Sequence, residues 1–369
     1  MEAAWRRLGD ELGPEQVVLV RDPRVGLEAF VVVDNTAAGP AIGGTRMRPT
    51  VTVDEVARLA RAMTFKNAMA RLPHGGAKSG IVADPAMPIE QKERLVRTFA
   101  RRIAGITGYI PGPDMGTDER AMAWVHDEIG RAVGLPAVLG GIPLDVIGAT
   151  GFGMAVCAGA LAEAGRLPLE GARVVMHGYG AVGRHAAHFL AERGALLVGV
   201  ADSRGAVASP VGINLAVLET HKAATGTVVG CPGTEPVSAA GLVALDCDLW
   251  APASLKDVID AGNAADLKAR VVLPGANIAV TPEAEAVLHE RGVLVLPDYV
   301  ANAGGVICAA VEYHGGTEPG AFERITATVH ANTLELLEGC AASGEPPRAV
   351  ADRIARERVA EAAGYRRRC

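Results

Sequence analysis

The chain carries two kinds of hydrophobic spacing. Residues 17–20 (Val-Val-Leu-Val) and 29–33 (Ala-Phe-Val-Val-Val) are short β-branched runs that read as strands. Thr52-x-x-Glu55 is a capping box. Behind it Val56, Leu59, Ala60, Met63, Asn67 and Ala70 recur at helical spacing, with Lys66 close to that face. Leu72-Pro73 closes the helix, and His74 to Gly80 read as a glycine-rich loop holding Lys78, ahead of a short strand at 81–83. A second amphipathic helix covers about 88–105, with Leu95, Phe99 and Ile103 inward and arginines outward. A Pro/Gly-framed loop from Tyr109 to Asp118 contains Asp114, and Thr117 or Asp118 caps a helix carrying Met122, Val125 and Ile129. From about residue 145 the pattern changes. Strands are predicted at 173–177, 195–201, 248–251, 271–273 and 293–296, with helices between them and a helical, arginine-rich stretch from 321. That alternation builds a mostly parallel, doubly wound sheet.

With 369 residues the chain is long enough for two domains. Apolar residues at 49% and charged residues at 21% exclude disorder and collagen-like structure. A net charge of −6 and 4% aromatics leave neither a basic footprint nor a stacking platform, so no nucleic-acid partner is expected. Val146 to Ala162 is uncharged but glycine- and alanine-rich, and shorter than the ~20 residues of a membrane span. It reads as a buried small-residue helix, and no membrane association is expected. Met1 to Arg7 has no apolar run behind its charges, so no secretory signal is expected. Six cysteines without Cys-x-x-Cys spacing fit reduced thiols and a cytoplasmic location. His185 and His188 share a helix face but have no third ligand near them in sequence, so no metal is expected.

Of 36 basic residues only six are lysine: Lys66, Lys78, Lys92, Lys222, Lys256 and Lys268. A lysine can be tuned to release its proton, whereas arginine stays charged. Gly178-x-Gly180-x-x-Gly183 follows a predicted strand and opens a helix at Ala181 and Val182, and Asp202 stands nineteen residues beyond its last glycine. In that context the glycines admit a dinucleotide pyrophosphate and the acid binds ribose hydroxyls. Asp202 would repel a 2′-phosphate and so favours NAD; Arg204 keeps NADP open. Lys78, among glycines, is placed to act as a general base once a neighbouring cation and desolvation loosen its proton. On residue type alone Asp114 reads equally as a helix cap and as a carboxylate that holds an amine, and Lys66 equally as a solvent-facing and a site residue.

At these residues the chain resembles the Glu/Leu/Phe/Val (amino acid) dehydrogenase family, collinearly from about Glu15 to about Glu312. The resemblance is carried by Gly39 to Met47 (GPAIGGTRM), Lys66-Asn67, Pro73 to Lys78 (PHGGAK), Pro113 to Thr117 (PDMGT), Ala149 to Gly153 (ATGFG), Gly178 to Gly183, Gly275-Ala276-Asn277 and Pro297 to Val306 (PDYVANAGGV). It implies an α/β chain with an N-terminal α/β substrate-binding and catalytic domain over 1–143 and a Rossmann-type dinucleotide-binding domain over 144–320. A cleft would lie between them, and C-terminal helices over 321–369 would pack back on the first domain. Closing such a cleft would exclude water and strengthen the charges inside it. By the resemblance Lys66 would bind the substrate carboxylate, Lys78 would activate water, and Asp114 would exchange protons with the amine. Thr150, Asn277 and Asn302 would lie near the nicotinamide and its ribose. The implied reaction is reversible oxidative deamination of an L-amino acid to a 2-oxo acid and ammonium, in a cytoplasmic homo-oligomer.

The side-chain pocket can be read further. Glutamate-specific members resemble Lys-Gly-Gly-x-Arg where this chain has Ile42-Gly43-Gly44-Thr45-Arg46, and they place a hydroxyl at the position of Ala309. An unpaired carboxylate buried there would cost several kcal/mol, whereas an apolar side chain gains roughly 1.5–3 kcal/mol on burial. Leucine, valine, isoleucine or phenylalanine is therefore expected, in a pocket formed with Gly112, Val306 and Ala309. Glutamate dehydrogenase is the alternative, and a nucleotide-binding sensor or scaffold without turnover is a third reading. Ser79 departs from the family, which has glycine or threonine after the lysine.

Overall fold

The computed structural model describes residues 9–366; the stretch Met1 to Arg7 and Cys369, both read above, lie outside them. Of the described residues, 9–144, 306–321 and 352–366 form one compact unit, and 145–305 with 322–351 form a second. The C-terminal helical stretch is thus divided between the two units.

The first unit is built on a five-stranded sheet of β1 (Gln16–Asp22), β2 (Leu27–Asn35), β3 (Ala41–Met47), β4 (Gly76–Ile81) and β5 (Tyr109–Pro113), in the order β1-β2-β4-β3-β5. β1, β2 and β4 pair antiparallel, while β3 runs parallel to β4 and β5. Its helices are α1 (Val53–Met69), α2 (Ile89–Arg102) and α3 (Glu119–Ile129). Strand alternation sends Val31, Val33, Ala77, Ile81 and Tyr109 into a core with Leu95, Phe99, Met122 and Val125 of α2 and α3. Val32 points the other way, onto Val56, Ala57 and Ala60 of α1. Helices cover both faces of the sheet, which is why 31–33 are apolar without interruption.

Two expectations are corrected here. Lys78 stands on strand β4, not in a loop, and the strand expected at 81–83 ends at Ile81. Gly76 and Gly80 imitate a loop in sequence because α1 presses on the strand. A Cβ at Gly76 would lie 2.0 Å from the Thr64 amide nitrogen, and one at Gly80 would lie 2.8 Å from Val51 and Val56. Likewise the first half of the Pro/Gly-framed loop, Tyr109–Pro113, is strand β5.

The second unit holds a seven-stranded sheet of β6 (Arg173–His177), β7 (Leu196–Asp202), β8 (Gly205–Ala208), β9 (Glu235–Val237), β10 (Leu249–Pro252), β11 (Val271–Val272) and β12 (Leu294–Val295), in the order β12-β11-β10-β6-β7-β8-β9. The first five in that order are parallel and β8 and β9 antiparallel. Its helices are α4 (Ala149–Glu163), α5 (Ala181–Ala191), α6 (Leu215–Thr225), α7 (Ala239–Val243), α8 (Pro282–Glu290) and α9 (Asp298–Ala301). The chain passes between units within α10 (Gly304–Tyr313), α11 (Glu318–Ser343) and α12 (Pro347–Gly364). β6 continues to β7 on one side and pairs β10 on the other, so the topology reverses there and opens a crevice beyond its C-terminal end. α4 is the small-residue helix, buried along most of its length. Among the described residues no helix is long and apolar enough to cross a membrane.

Candidate active site

In the first unit, β3 in register with β4 and β5 puts Ile42, Gly44 and Arg46 on one sheet face with Gly76, Lys78, Ile110 and Gly112. α1 covers that face, with Lys66 half-buried in its last turn. Arg358 donates to the carbonyls of Ala68 at 3.1 Å and Met69 at 2.8 Å, closing the C-terminal end of this helix. Lys78 is 6% exposed, and its Nζ lies 2.7 Å from Oδ2 of Asp114. Asp114 caps no helix; that role falls to Asp118, which accepts from the amide of Ala121. Instead Asp114 accepts from Arg46 Nε at 3.2 Å, Arg46 Nη2 at 3.3 Å and the Met115 amide at 2.7 Å. Burial alone would raise its pKa, but the Lys78 and Arg46 charges outweigh burial and hold the carboxyl at about 2. Arg46 also binds Glu55 at 2.7 Å, and Glu55 binds Arg48 at 2.6 Å. The result is an ionised carboxylate between an ammonium and a guanidinium, able to accept from an amino-acid ammonium group. Arg46 was not singled out from sequence, although its place two residues after Gly44 on a strand puts it on the same face.

Glycine is needed for this spacing. A Cβ at Gly44 would lie 2.8 Å from Asp114 Cβ, 2.8 Å from the Pro113 carbonyl oxygen and 3.1 Å from Lys78 Nζ. Gly44→Ala should therefore leave coenzyme binding unchanged while lowering turnover about 10²-fold, the cost of displacing a reacting group by about 1 Å. Steady-state kinetics with a coenzyme titration measures both, and a wild-type rate would show that the spacing is immaterial. Gly43 is equally constrained, since its Cβ would lie 1.7 Å from the Ala77 oxygen. Ser79 points to the opposite face, hydrogen-bonded to Tyr109 Oη at 2.8 Å and donating to Thr45 Oγ1 at 3.1 Å, so its departure from the family pattern lies behind the site.

Ile42, Val306 and Ala309, expected from sequence to line the side-chain pocket, are all buried in this unit. Gly112 leaves room in front of Val133, whose Cγ2 would lie 3.0 Å from an added Cβ. One turn beyond Ala309 the buried Glu312 accepts from the amides of Leu135 at 3.0 Å and Ile142 at 2.8 Å, tying α10 to the 135–142 segment.

In the second unit the glycine loop follows β6. Gly178 has φ +116°, and a Cβ there would lie 2.8 Å from the Ala253 backbone; one at Gly183 would lie 1.9 Å from the Gly178 oxygen. Gly180, by contrast, faces open space and is the N-cap of α5, with no side-chain cap on the amides that follow, Ala181 among them. An uncapped helix N-terminus behind an open glycine fits a pyrophosphate. Nearby, Asn302 Nδ2 donates to the Gly275 carbonyl at 3.2 Å and to Asn277 Oδ1 at 3.0 Å. A Cβ at Gly275 would lie 2.8 Å from Val182 Cγ1, and one at Gly304 would lie 3.2 Å from Thr150 Cα. Thr150, Val182, Asn277 and Asn302 are thus brought into one neighbourhood. It is braced by Arg348, which binds Glu285 at 2.7 Å and Asp298 at 3.1 Å, while Asp298 accepts from the Ile278 amide at 2.8 Å. Arg348 carried no sequence signal, because its partners are 50 and 63 residues away.

Asp202 stands at the end of β7 as expected, but its carboxylate is already filled. Oδ2 accepts from Lys222 Nζ at 2.9 Å and the Val228 amide at 2.7 Å; Oδ1 accepts from the Arg204 amide at 2.9 Å and Thr227 Oγ1 at 3.1 Å. A ribose diol at Asp202 would therefore compete with donors that the chain supplies itself.

Comparison with known proteins identifies the family. Residues 140–367 match the family described as Glutamate/Leucine/Phenylalanine/Valine dehydrogenase, and residues 14–131 match Glu/Leu/Phe/Val dehydrogenase, dimerisation domain. The chain is 40% identical to a glutamate dehydrogenase of Aeropyrum pernix over 292 residues, covering 76% of this chain and 70% of that one. It is 40% identical to a glutamate dehydrogenase of Thermotoga maritima over 320 residues, covering 81% and 77%. Among solved structures it is similar to the hetero-hexameric glutamate dehydrogenase of Thermus thermophilus in its Leu-bound form, with TM-score 0.87, 31% identity and coverage of 96% and 91%. It is also similar to L-tryptophan dehydrogenase from Nostoc punctiforme, with TM-score 0.73, 26% identity and coverage of 95% and 97%. The chain belongs to the glutamate/leucine/phenylalanine/valine dehydrogenase family, oxidoreductases that act on the CH–NH2 group of amino acids with NAD or NADP.

Proposed function

We propose that this enzyme oxidatively deaminates an L-amino acid with an apolar side chain. The observation that carries this reading is Ile42, buried on the lysine face of the sheet two residues from Gly44. Lys66 presents the cation for the substrate carboxylate, and Lys78 holds the water. Asp114, held ionised by Lys78 and Arg46, accepts from the substrate ammonium and takes up its proton. A bound nicotinamide would supply the acceptor for the hydride of the substrate Cα. Lys78, once it has given up its own proton, assists water onto the imine carbon by taking one of the water protons, and the amine leaves as ammonium with the proton held by Asp114 and the hydroxyl proton of the addition product. Water is consumed, and one 2-oxo acid, one ammonium, one reduced coenzyme and one proton, released from Lys78 to solvent, result.

A second reading, glutamate as substrate, is supported by the names of the relatives at 40% identity. Against it stands the chemistry of the pocket. Arg46 is committed to Asp114 and Glu55, and a γ-carboxylate would meet Ile42 and Ala309. Ile42→Lys should raise kcat/KM for glutamate relative to leucine by about tenfold or more, the worth of one charge-assisted hydrogen bond. An unchanged ratio would place the pocket wall elsewhere. A sensor or scaffold without turnover leaves the Lys78–Asp114–Arg46 arrangement without a use.

The same reading includes a homo-oligomer formed through the first unit. β1 is the edge strand of its sheet, with Leu19 66% and Val17 42% exposed. A cytoplasmic location is supported by the free thiols of Cys157, Cys231, Cys247, Cys308 and Cys340.

A further inference from the structure

Dinucleotide-binding sheets that select NAD leave a carboxylate open at the end of the second strand, to accept both ribose hydroxyls and repel a 2′-phosphate. This chain has the carboxylate and does not leave it open. Asp202 is closed over by the segment after α6: Lys222 comes from the last turn of that helix, Thr227 and Val228 from the turn beyond it. The Asp202 side chain is 7% exposed and paired with an ammonium, so it presents neither acceptor sites nor a net negative charge. Two residues on, at the exposed tip between β7 and β8, Arg204 donates from Nη1 to the Thr225 carbonyl at 3.1 Å and forms no ion pair among the described residues. Lys222 also lies 5.9 Å from the centroid of Tyr179, the residue between the first two glycines of the loop, so it belongs to the nucleotide crevice. Tyr179 is fixed in turn by donating to Glu219 at 2.7 Å. The charges at this corner sum to one positive: Asp202 cancels Lys222, Glu219 is balanced by Arg184 at 3.6 Å, and Arg204 remains.

We infer that Lys222 and Arg204 make this chain an NADP-preferring enzyme, with Lys222 neutralising the acid that would otherwise reject the 2′-phosphate and Arg204 supplying its counter-charge. Asp202 acts as a positioning residue: it holds Lys222 and the 226–228 turn in place and does not touch the ribose. The inference rests on the nucleotide site of the proposed function and is independent of the amino-acid substrate.

The test uses the wild-type full chain without amino acid. 2′,5′-ADP and 5′-AMP differ only in the 2′-phosphate, and calorimetric titration should show 2′,5′-ADP binding at least about tenfold more tightly, the factor one charge-assisted hydrogen bond supplies. NADPH should exceed NADH similarly by nicotinamide fluorescence. Arg204→Ala, at an exposed position, should erase most of the NADPH advantage while leaving NADH affinity within about threefold, a change of under about one hydrogen bond. Lys222→Gln should go further and reverse the preference, because Asp202 is then unpaired. Equal affinity for the two mononucleotides, or tighter NADH than NADPH in the wild type, would overturn the inference. Failure of both dinucleotides to bind would overturn it together with the nucleotide site, whereas NADPH binding without turnover of any amino acid would count only against the substrate reading.

Discussion

Lys78→Ala should lose about 10²–10⁴-fold in kcat, the range that a positioned acid or base contributes, while its NAD(P)H dissociation constant stays within error of wild type. The two halves of that expectation have different physical origins. Lys78 sits on β4 of the first unit, 2.7 Å from Asp114, whereas the glycine loop that would take the coenzyme belongs to the second unit. The substitution also takes one of two cations away from a mostly buried carboxylate, so the pKa of Asp114 should rise from about 2. The acid limb of the remaining pH–rate profile should accordingly move to higher pH. Single-turnover kinetics, coenzyme titration and a pH profile on the same variant measure all three. Retained turnover would remove Lys78 from the chemistry, and lost coenzyme affinity would show that the damage is to the fold.

The largest stability effect is expected at Arg348. Its guanidinium reaches Glu285 and Asp298, both largely withdrawn from water, and lies 5.7 Å from the Tyr299 ring centroid. Removing one member of such a group leaves buried charge uncompensated and costs about 3–5 kcal/mol. Arg348→Ala should therefore lower the melting temperature by several degrees. Because Asp298 accepts from the Ile278 amide next to Asn277, it should also weaken coenzyme binding. Arg348→Lys should restore little, since one ammonium cannot reproduce the planar fork across two carboxylates. Thermal denaturation monitored by circular dichroism, followed by coenzyme titration of the folded fraction, separates the two effects. A melting curve within a degree of wild type would show that the group contributes nothing to stability.

The features most legible in the sequence are those fixed by local pattern. The helix behind Thr52, the alternation after residue 145 and the Gly178–Gly183 turn each depend on residues within one or two turns of one another, and each is present. Lys78 and Asp114 could be named, but not their contact, because it is made across parallel strands through β3, a pairing that periodicity does not encode. The glycines around Lys78 were misleading for a definite reason. Glycine marks a turn when the backbone must bend, and a strand when another element lies too close for a Cβ; only the position of α1 decides between these at Gly76 and Gly80. β8 and β9 escaped notice because one has four residues and the other contains Pro236. Asp202 shows the opposite limit. The spacing located it correctly, but its charge is cancelled by Lys222, twenty residues on, and no motif records that pairing.

The most direct measurement is coenzyme reduction at 340 nm with leucine, valine, isoleucine, phenylalanine and glutamate in parallel, each with NAD and with NADP, comparing wild type with Lys78→Ala. Reduction with one or more of the four apolar amino acids, at kcat/KM above that for glutamate and lowered at least about 10²-fold in the variant, is the predicted result. Reduction with glutamate alone, or none with any of the five, would contradict it.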